Sequence, residues 1–402
     1  MRKYIFEDIK IVEITSGMVG PWATTYFANH GATVILLESM TALSISRTTM
    51  PFKNNKPGVN NTGFGALLSP NRHSMSLNLR HPQSFEVKKR LIKWADVIVE
   101  NYAPGVMERW GLSYDEVREI KPDIIMARAS SQGQTGPYAS HPAYGFQLSS
   151  LCGFSHITGW PDGEPQSLAG AYTDTIAPRF FAIAIITALD FKRRTGKGQL
   201  IDLSEFEASL EFLIPPLLDY LINGKVASRI ANSCSYAAPH QVYKCRGEDR
   251  WCAITVFTDQ QWISFCNVIG NPPWTNKFPT LIERKRREEE LDRLIEEWTV
   301  NFTAEGVMEM MQKLGVPAGV VESPEDICQD PQLQDRNAIW LLNHKEMGPT
   351  PHYGQFFELS KCPTKEPMPY PCLGEDTEYI CKEYLGFSEE EFDKLLVDNV
   401  FE

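Results

Sequence analysis

The sequence predicts an α/β protein: a doubly wound, Rossmann-like large domain, a smaller α+β domain, and a C-terminal segment that returns to the large domain. Short apolar runs alternate with amphipathic stretches over roughly the first 200 residues, as in a parallel sheet with helices on both faces. Turns bearing glycine or proline separate them. After Leu210–Ile222 the pattern changes to a hairpin followed by helices. The boundaries read from these changes are residues 1–224, 225–325 and 326–402.

Ile9–Ile14 reads as a strand, and Gly17-Met18-Val19-Gly20-Pro21 as a turn into a helix that runs to Asn29. Proline suits the first turn of a helix. Gly31 ends that helix, and Ala32–Leu37 is a second buried strand. Such a unit favours parallel strands, although its Gly-x-x-Gly falls short of a dinucleotide fingerprint. Ser39–Ser69 is polar and reads as a long loop. The alternation resumes with strand Met75–Leu79, helix Pro82–Trp94, strand Val97–Glu100, helices Val106–Trp110 and Tyr114–Ile120, and strand Ile124–Arg128. A glycine-rich loop, Ser131–Pro137, follows. The apolar run Phe180–Leu189 leads through Arg193–Gln199 to strand Leu200–Leu203.

In the smaller domain Gln241–Cys245 and Arg250–Val256 flank Arg246-Gly247-Glu248-Asp249 as a hairpin. Helices are expected at Asp259–Ile269, Ile282–Trp298 and Ala304–Leu314. The basic cluster Arg284–Arg287 has glutamates four residues away and reads as a solvated helix face. The tail from Ser323 is irregular until a helix at Glu389–Leu396.

Bulk properties narrow the function. Hydrophobic residues make up 43% and charged residues 22% of the 402, an ordinary globular composition. A net charge of −12 argues against coating nucleic acid, yet leaves room for a small anionic ligand. The N-terminus lacks a signal-peptide stretch, and no run reaches the roughly 18 apolar residues of a membrane span. Nine cysteines without Cys-x-x-Cys, and eight histidines without His-Glu-x-x-His, point to a reduced, cytoplasmic protein with no metal site.

Asp174, in Ala169-Gly170-Ala171-Tyr172-Thr173-Asp174-Thr175, precedes the apolar helix. A carboxylate there has two uses. It caps the helix, which is the commoner, or it is a nucleophile shielded from bulk water.

Six short motifs in order resemble the family III CoA-transferases, the formyl-CoA and carnitine CoA-transferase (CaiB/BaiF) type, over almost the whole chain. They are Gly17–Pro21, Gly31–Ile35 through Glu38, Val99–Gly105, Gly133–Tyr138, Arg194–Gln199 and Leu373–Thr377. The resemblance implies that Asp174 is a nucleophile that carries an aspartyl intermediate, helped by the amides of the helix N-terminus. It implies CoA thioesters as substrates and no permanently bound cofactor, with CoA contacts at Met18, Val19, Leu77, Arg80, Asn101, Tyr102 and Arg109. Leu77 is equally a core residue, Tyr102 a common turn aromatic, and Arg109 a candidate surface ion pair. It also implies an interlocked dimer, either a homodimer or a heterodimer with a paralogous subunit. Gly133–Gly136 or the Met18-Val19 turn would supply oxyanion amides.

Two departures stand out. Residues 254–262 lack the glycine run that some members carry in the small domain, which leaves lid behaviour there open. Pro178-Arg179 stands where relatives carry small residues, so Pro178 would set the helix start. Arg179 would pair with a substrate carboxylate or make a structural ion pair. Gly133, Gln134, Tyr144 and Arg179 are therefore the substrate candidates. The expected reaction moves CoA from an acyl-CoA, succinyl-CoA in the favoured case, to a small carboxylic acid. Trp22, Tyr26, Tyr138 and Phe146 would tolerate an aromatic succinate derivative. The rival enzyme is an acyl-CoA racemase, but Ala143-Tyr144-Gly145 stands where its Gly-His-Asp would fall, with His141 nearby. The rival without catalysis is a supporting subunit of a paired assembly, which the presence of Asp174 disfavours.

Overall fold

A computed structural model describes residues 3–168 and 170–402. Met1 and Arg2, and Ala169 of the segment around Asp174, lie outside the described residues. The first strands are Lys10–Ile14 (β1) and Thr33–Glu38 (β2), joined by helix Val19–Asn29 (α1). The expected long loop from Ser39 to Ser69 instead holds helices Ile45–Thr48 (α2) and Gly63–Leu68 (α3) and a short 3-10 turn at Lys53–Asn55. Ser44 and Thr62 cap the two helices, which is why so polar a stretch can be ordered. The third strand is His73–Ser76 (β3), two residues before its expected start. Then come Ser84–Trp94 (α4), Val97–Glu100 (β4), Val106–Arg109 (α5), Tyr114–Ile120 (α6), Ile125–Ser130 (β5), Gly145–Cys152 (α7), Phe154–Ile157 (α8), Tyr172–Thr195 (α9), Leu200–Ser204 (β6), Glu205–Leu210 (α10) and Ile214–Asn223 (α11).

The six strands form one sheet in the order β3-β2-β1-β4-β5-β6, parallel at every pairing. Alternate residues feed opposite faces. Val12, Ile14, Ile35, Leu37 and Ile98 pack with α4 and the C-terminal Phe392 and Phe401. Ile11, Val34, Val97, Val99 and Ala127 pack with Ala23 and Phe27 of α1 and Ala177, Phe181 and Ile185 of α9. A sheet covered on both faces reads as near-continuous apolar runs, which is what made it legible.

A separate compact unit comprises Ser155–Gln166 and Ala227–Pro331. In it strands His240–Lys244 (β7), Trp251–Thr255 (β8) and Ala318–Val320 (β9) form an antiparallel sheet. Its helices are Asp259–Val268 (α12), Leu281–Arg286 (α13), Glu288–Thr299 (α14), Ala304–Lys313 (α15) and Pro324–Gln329 (α16). The single helix expected over Ile282–Trp298 is broken at Arg287. Nor is its basic cluster uniformly solvated: Arg284 is buried, pairs with Asp259 at 2.8 Å and donates to the Ala238 carbonyl at 2.7 Å.

The rest of the chain belongs with the six-stranded sheet. After Pro331–Asp335 (α17), the stretch expected to be irregular carries an antiparallel hairpin, Ile339–His344 (β10) with Gly348–Tyr353 (β11). Two prolines in β11, Pro349 and Pro351, disguise it in the sequence. Thr377–Tyr379 (α18) and Glu389–Val397 (α19) complete the fold. Among the described residues no helix is long and apolar enough to cross a membrane, and no cluster of His, Cys, Asp and Glu could hold a metal ion.

Candidate active site

The strand order reverses between β1 and β4, the switch point at which α/β sheets leave a crevice beyond their carboxyl ends. Buried glutamate–arginine pairs hold the chain where it leaves three strands. Glu13 of β1 accepts from Arg72 Nε at 2.9 Å and from the Thr15 and Thr24 hydroxyls. Glu38 of β2 binds Arg47, whose guanidinium lies 4.0 Å from the Tyr370 ring centroid. Glu100 of β4 binds Arg128 at 2.6 Å and accepts the Tyr102 amide at 2.7 Å. Burial still pushes the Glu100 carboxyl up to about 7 against the pull of Arg128. Gly20 lets α1 start against β1: a side-chain carbon there would lie 2.8 Å from Thr15 Cβ.

A cleft of about 530 Å³ opens at this crevice, lined in part by Ser16, Leu43, Arg80, Tyr102, Arg109 and Trp110. Arg80 and Arg109 are exposed and make no ion pair among the described residues. Tyr102 meets Trp110 edge-on at 5.1 Å. Leu77 is buried in the core and lines a smaller adjoining pocket with Arg80 and Tyr102. Four of the seven expected CoA contacts thus gather here. The other three do not line these pockets. Val19 is buried, Met18 stands at the start of α1, and the Asn101 amide is engaged with Ser16, accepting from its N–H at 2.8 Å and donating to its carbonyl at 2.6 Å.

Asp174 is the third residue of α9, not its cap. That position belongs to Ala171, and no side chain caps this end. Pro178 does not start the helix either, since it lies within the second turn. Having no N–H, it cannot donate to the Asp174 carbonyl four residues back. The Asp174 carboxylate is half-buried and accepts from the Thr173 hydroxyl at 3.2 Å. Burial raises its pKa, while the Thr173 hydroxyl and its own amide pull the other way. No cation pairs with it among the described residues. Its Oδ1 lies against Gly145, the first residue of α7, in the space a side chain would fill. The Asp174 carboxylate is thus partly dehydrated, has no counter-charge among the described residues, and lies in the first turn of α9 against the first residue of α7.

The remaining candidates divide. Gly133 is buried beside Asp202, and the Gln134 amide donates to both Asp202 oxygens, at 3.0 and 3.1 Å, so that N–H is already engaged. Tyr144 is 71% exposed and precedes α7. Arg179 makes no structural ion pair among the described residues. It donates to the Thr175 carbonyl and lies 4.8 Å from the Trp22 ring centroid, and Trp22 in turn stacks on Tyr353.

The sequence reading missed two neighbours of Asp174. One is Gly145. The other is Glu205, the first residue of α10, buried and within electrostatic reach of Asp174. Its position directly after the capping Ser204 reads as an ordinary first-turn acid, and only packing reveals the burial.

A model of CoA-transferase family III matches residues 6–377. The succinyl-CoA–D-citramalate CoA-transferase of Chloroflexus aurantiacus is 28% identical over 396 residues, covering 98% of this chain and 97% of its own. The succinyl-CoA:glutarate CoA-transferase of Mus musculus is 31% identical over 401 residues, covering 98% and 90%. The crystal structure of a CAIB/BAIF family protein from Brucella suis superposes with a TM-score of 0.87 at 27% identity, covering 95% of this chain and all of that one.

Proposed function

The chain belongs to CoA-transferase family III, and from that premise we propose that it moves CoA from succinyl-CoA to a second dicarboxylic acid through acyl and thioester adducts of Asp174. The Asp174 carboxylate attacks the donor thioester carbonyl, giving a mixed anhydride and CoA thiolate. The thiolate attacks the aspartyl carbonyl, releasing the donor acid as its carboxylate and leaving an aspartyl thioester. The acceptor carboxylate attacks that thioester, forming a new anhydride and freeing the thiolate again. Attack of the thiolate on the acceptor carbonyl then restores Asp174. Each step exchanges one acyl bond for another, so no proton, ATP or metal enters the balance.

The observation that carries this reading is Asp174 itself: half-buried, without a counter-cation among the described residues, and against the side-chain-free Gly145. The N-terminal amides of α9, which carries Asp174, and of α7, whose first residue lies against it, would stabilise tetrahedral oxyanions. We assign CoA to the cleft at the sheet's switch point, with Arg80 and Arg109 on the phosphates and Tyr102 and Leu77 along its walls. The amide of Asn101 would act by fixing the Ser16 turn beneath the CoA.

A dicarboxylate is favoured by Arg179. Its guanidinium has no carboxylate partner among the described residues, and the relatives described above are named for succinyl-CoA with citramalate or glutarate. An aromatic succinate derivative is a special case, with its ring near Trp22.

We also assign the protein a partner chain, a second copy or a paralogue. α11 is apolar, yet none of its residues is buried, with Leu221 and Ile222 each 75% exposed. A surface of that kind marks an interface.

The test is incubation with succinyl-CoA and a panel of dicarboxylic, monocarboxylic and aryl-succinic acids, then acid quench and mass spectrometry of the Asp174 peptide. An adduct on Asp174, absent from Asp174→Asn, is expected. Turnover by that variant, or an adduct on another residue, would refute the nucleophile. No deuterium should wash in at the α-carbon, as it would in a racemase.

A further inference from the structure

Glu205 is 8% exposed, and its carboxyl has neither a hydrogen-bond donor nor a cation among the described residues. The elements packed on α10 are α9, α7, β6 and the 3-10 turn Glu211–Leu213. On α9 the Asp174 carboxylate lies within its electrostatic reach, and on α7 the Cys152 thiol, which burial holds neutral by raising it to about 11. Asp202 of β6 is exposed and engaged with the Gln134 amide, and Glu211 of the turn is exposed. None of these groups is a cation. Two carboxyls therefore lie within electrostatic reach of one another where α10 packs on α9 and α7, with no cation among the described residues to neutralise a second negative charge.

We propose that Glu205 is a positioning residue that holds the one proton of the Asp174–Glu205 pair, keeps the negative charge on Asp174, and closes the site to anionic acceptors when that proton is lost. The inference rests on Asp174 being the nucleophile. Unequal solvation decides which carboxyl is charged. Asp174 accepts from the Thr173 hydroxyl and its own amide, whereas the Glu205 carboxyl accepts from nothing among the described residues. Burial and the nearby Asp174 charge accordingly push Glu205 up to about 8. Below that point one negative charge meets the incoming carboxylate or thiolate; above it there are two. Glu205 transfers no proton, consistent with acyl exchanges that consume none.

The test is the pH dependence of kcat/KM for a dicarboxylate acceptor in the wild type, Glu205→Gln, Glu205→Leu and Asp174→Asn. In the wild type the value should fall about tenfold per pH unit above about 8. In both neutral Glu205 variants that alkaline fall should vanish. An alkaline fall that persists unchanged in either, or none in the wild type, would overturn the inference. Should neither variant fold, infrared difference spectra of the wild-type protein between about pH 7 and about pH 10 should lose one protonated-carboxyl band. Absence of that band would also overturn it. Turnover by Asp174→Asn would instead overturn the nucleophile reading, so the two failures are distinguishable.

Discussion

Replacing Gly145 by alanine would put a methyl group into the space now taken by the Asp174 carboxylate. The new carbon would lie 2.7 Å from Ala171 Cα and closer still to Asp174 Oδ1. Ordinary carbon contacts begin at roughly 3.5 Å, and moving the Asp174 side chain alone would leave the clash with Ala171, so α7 and the start of α9 must separate by about 1 Å. The backbone of Gly145 lies outside the left-handed region, so alanine is not strained by its own φ and the effect isolates the lack of space. Overpacking of this size costs about 1–3 kcal/mol of stability. A shift of about 1 Å in a reacting group costs on the order of a hundredfold in rate. Steady-state transferase activity, thermal unfolding and the yield of trapped Asp174 adduct measure the three consequences. Activity within about threefold of wild type, with an unchanged melting temperature, would refute close packing between Gly145 and Asp174.

Asp174→Asn should lower kcat by at least about a thousandfold while leaving CoA binding, read by calorimetry, nearly intact. Because burial holds Asp174 above the ordinary carboxylate range, and only its ionised form attacks, wild-type activity should be lost as pH falls through that raised value. A profile still flat down to about pH 4 would contradict this. Arg179→Ala should raise KM for a dicarboxylate about tenfold or more, the worth of one charge-assisted pair, with little effect on a monocarboxylate; equal effects on both would assign Arg179 to structure. Arg72→Met leaves Glu13 buried and unpaired, so chemical denaturation should report a loss of about 3–5 kcal/mol, much of it restored by adding Glu13→Leu.

The sheet was legible because buried parallel strands are written as apolar runs: β1, β2, β4 and β5 fall within two residues of where the sequence puts them. β3, His-Ser-Met-Ser, has little apolar signal, and its polar side chains serve Glu38 and Glu402 rather than the core. The start of α9 was misread because proline was taken as a start signal, whereas here it is accommodated inside the helix. Asp174 could be singled out by its neighbours in sequence. Gly145 and Glu205 could not, because their meaning lies in what packs against them. The same holds for Asn101, whose amide turns inward to Ser16.

The glutamate–arginine pairs at the ends of β1, β2 and β4 bear on how this sequence can change through descent. Loss of either partner strands a buried charge, whereas joint replacement by apolar residues of like size is close to neutral. Between the two lies a variant that folds poorly. Glu13 with Arg72, Glu38 with Arg47 and Glu100 with Arg128 should therefore be inherited as couples, each kept or exchanged together. The loops around the cleft can drift residue by residue in their specificity, while the braces beneath them change only in pairs.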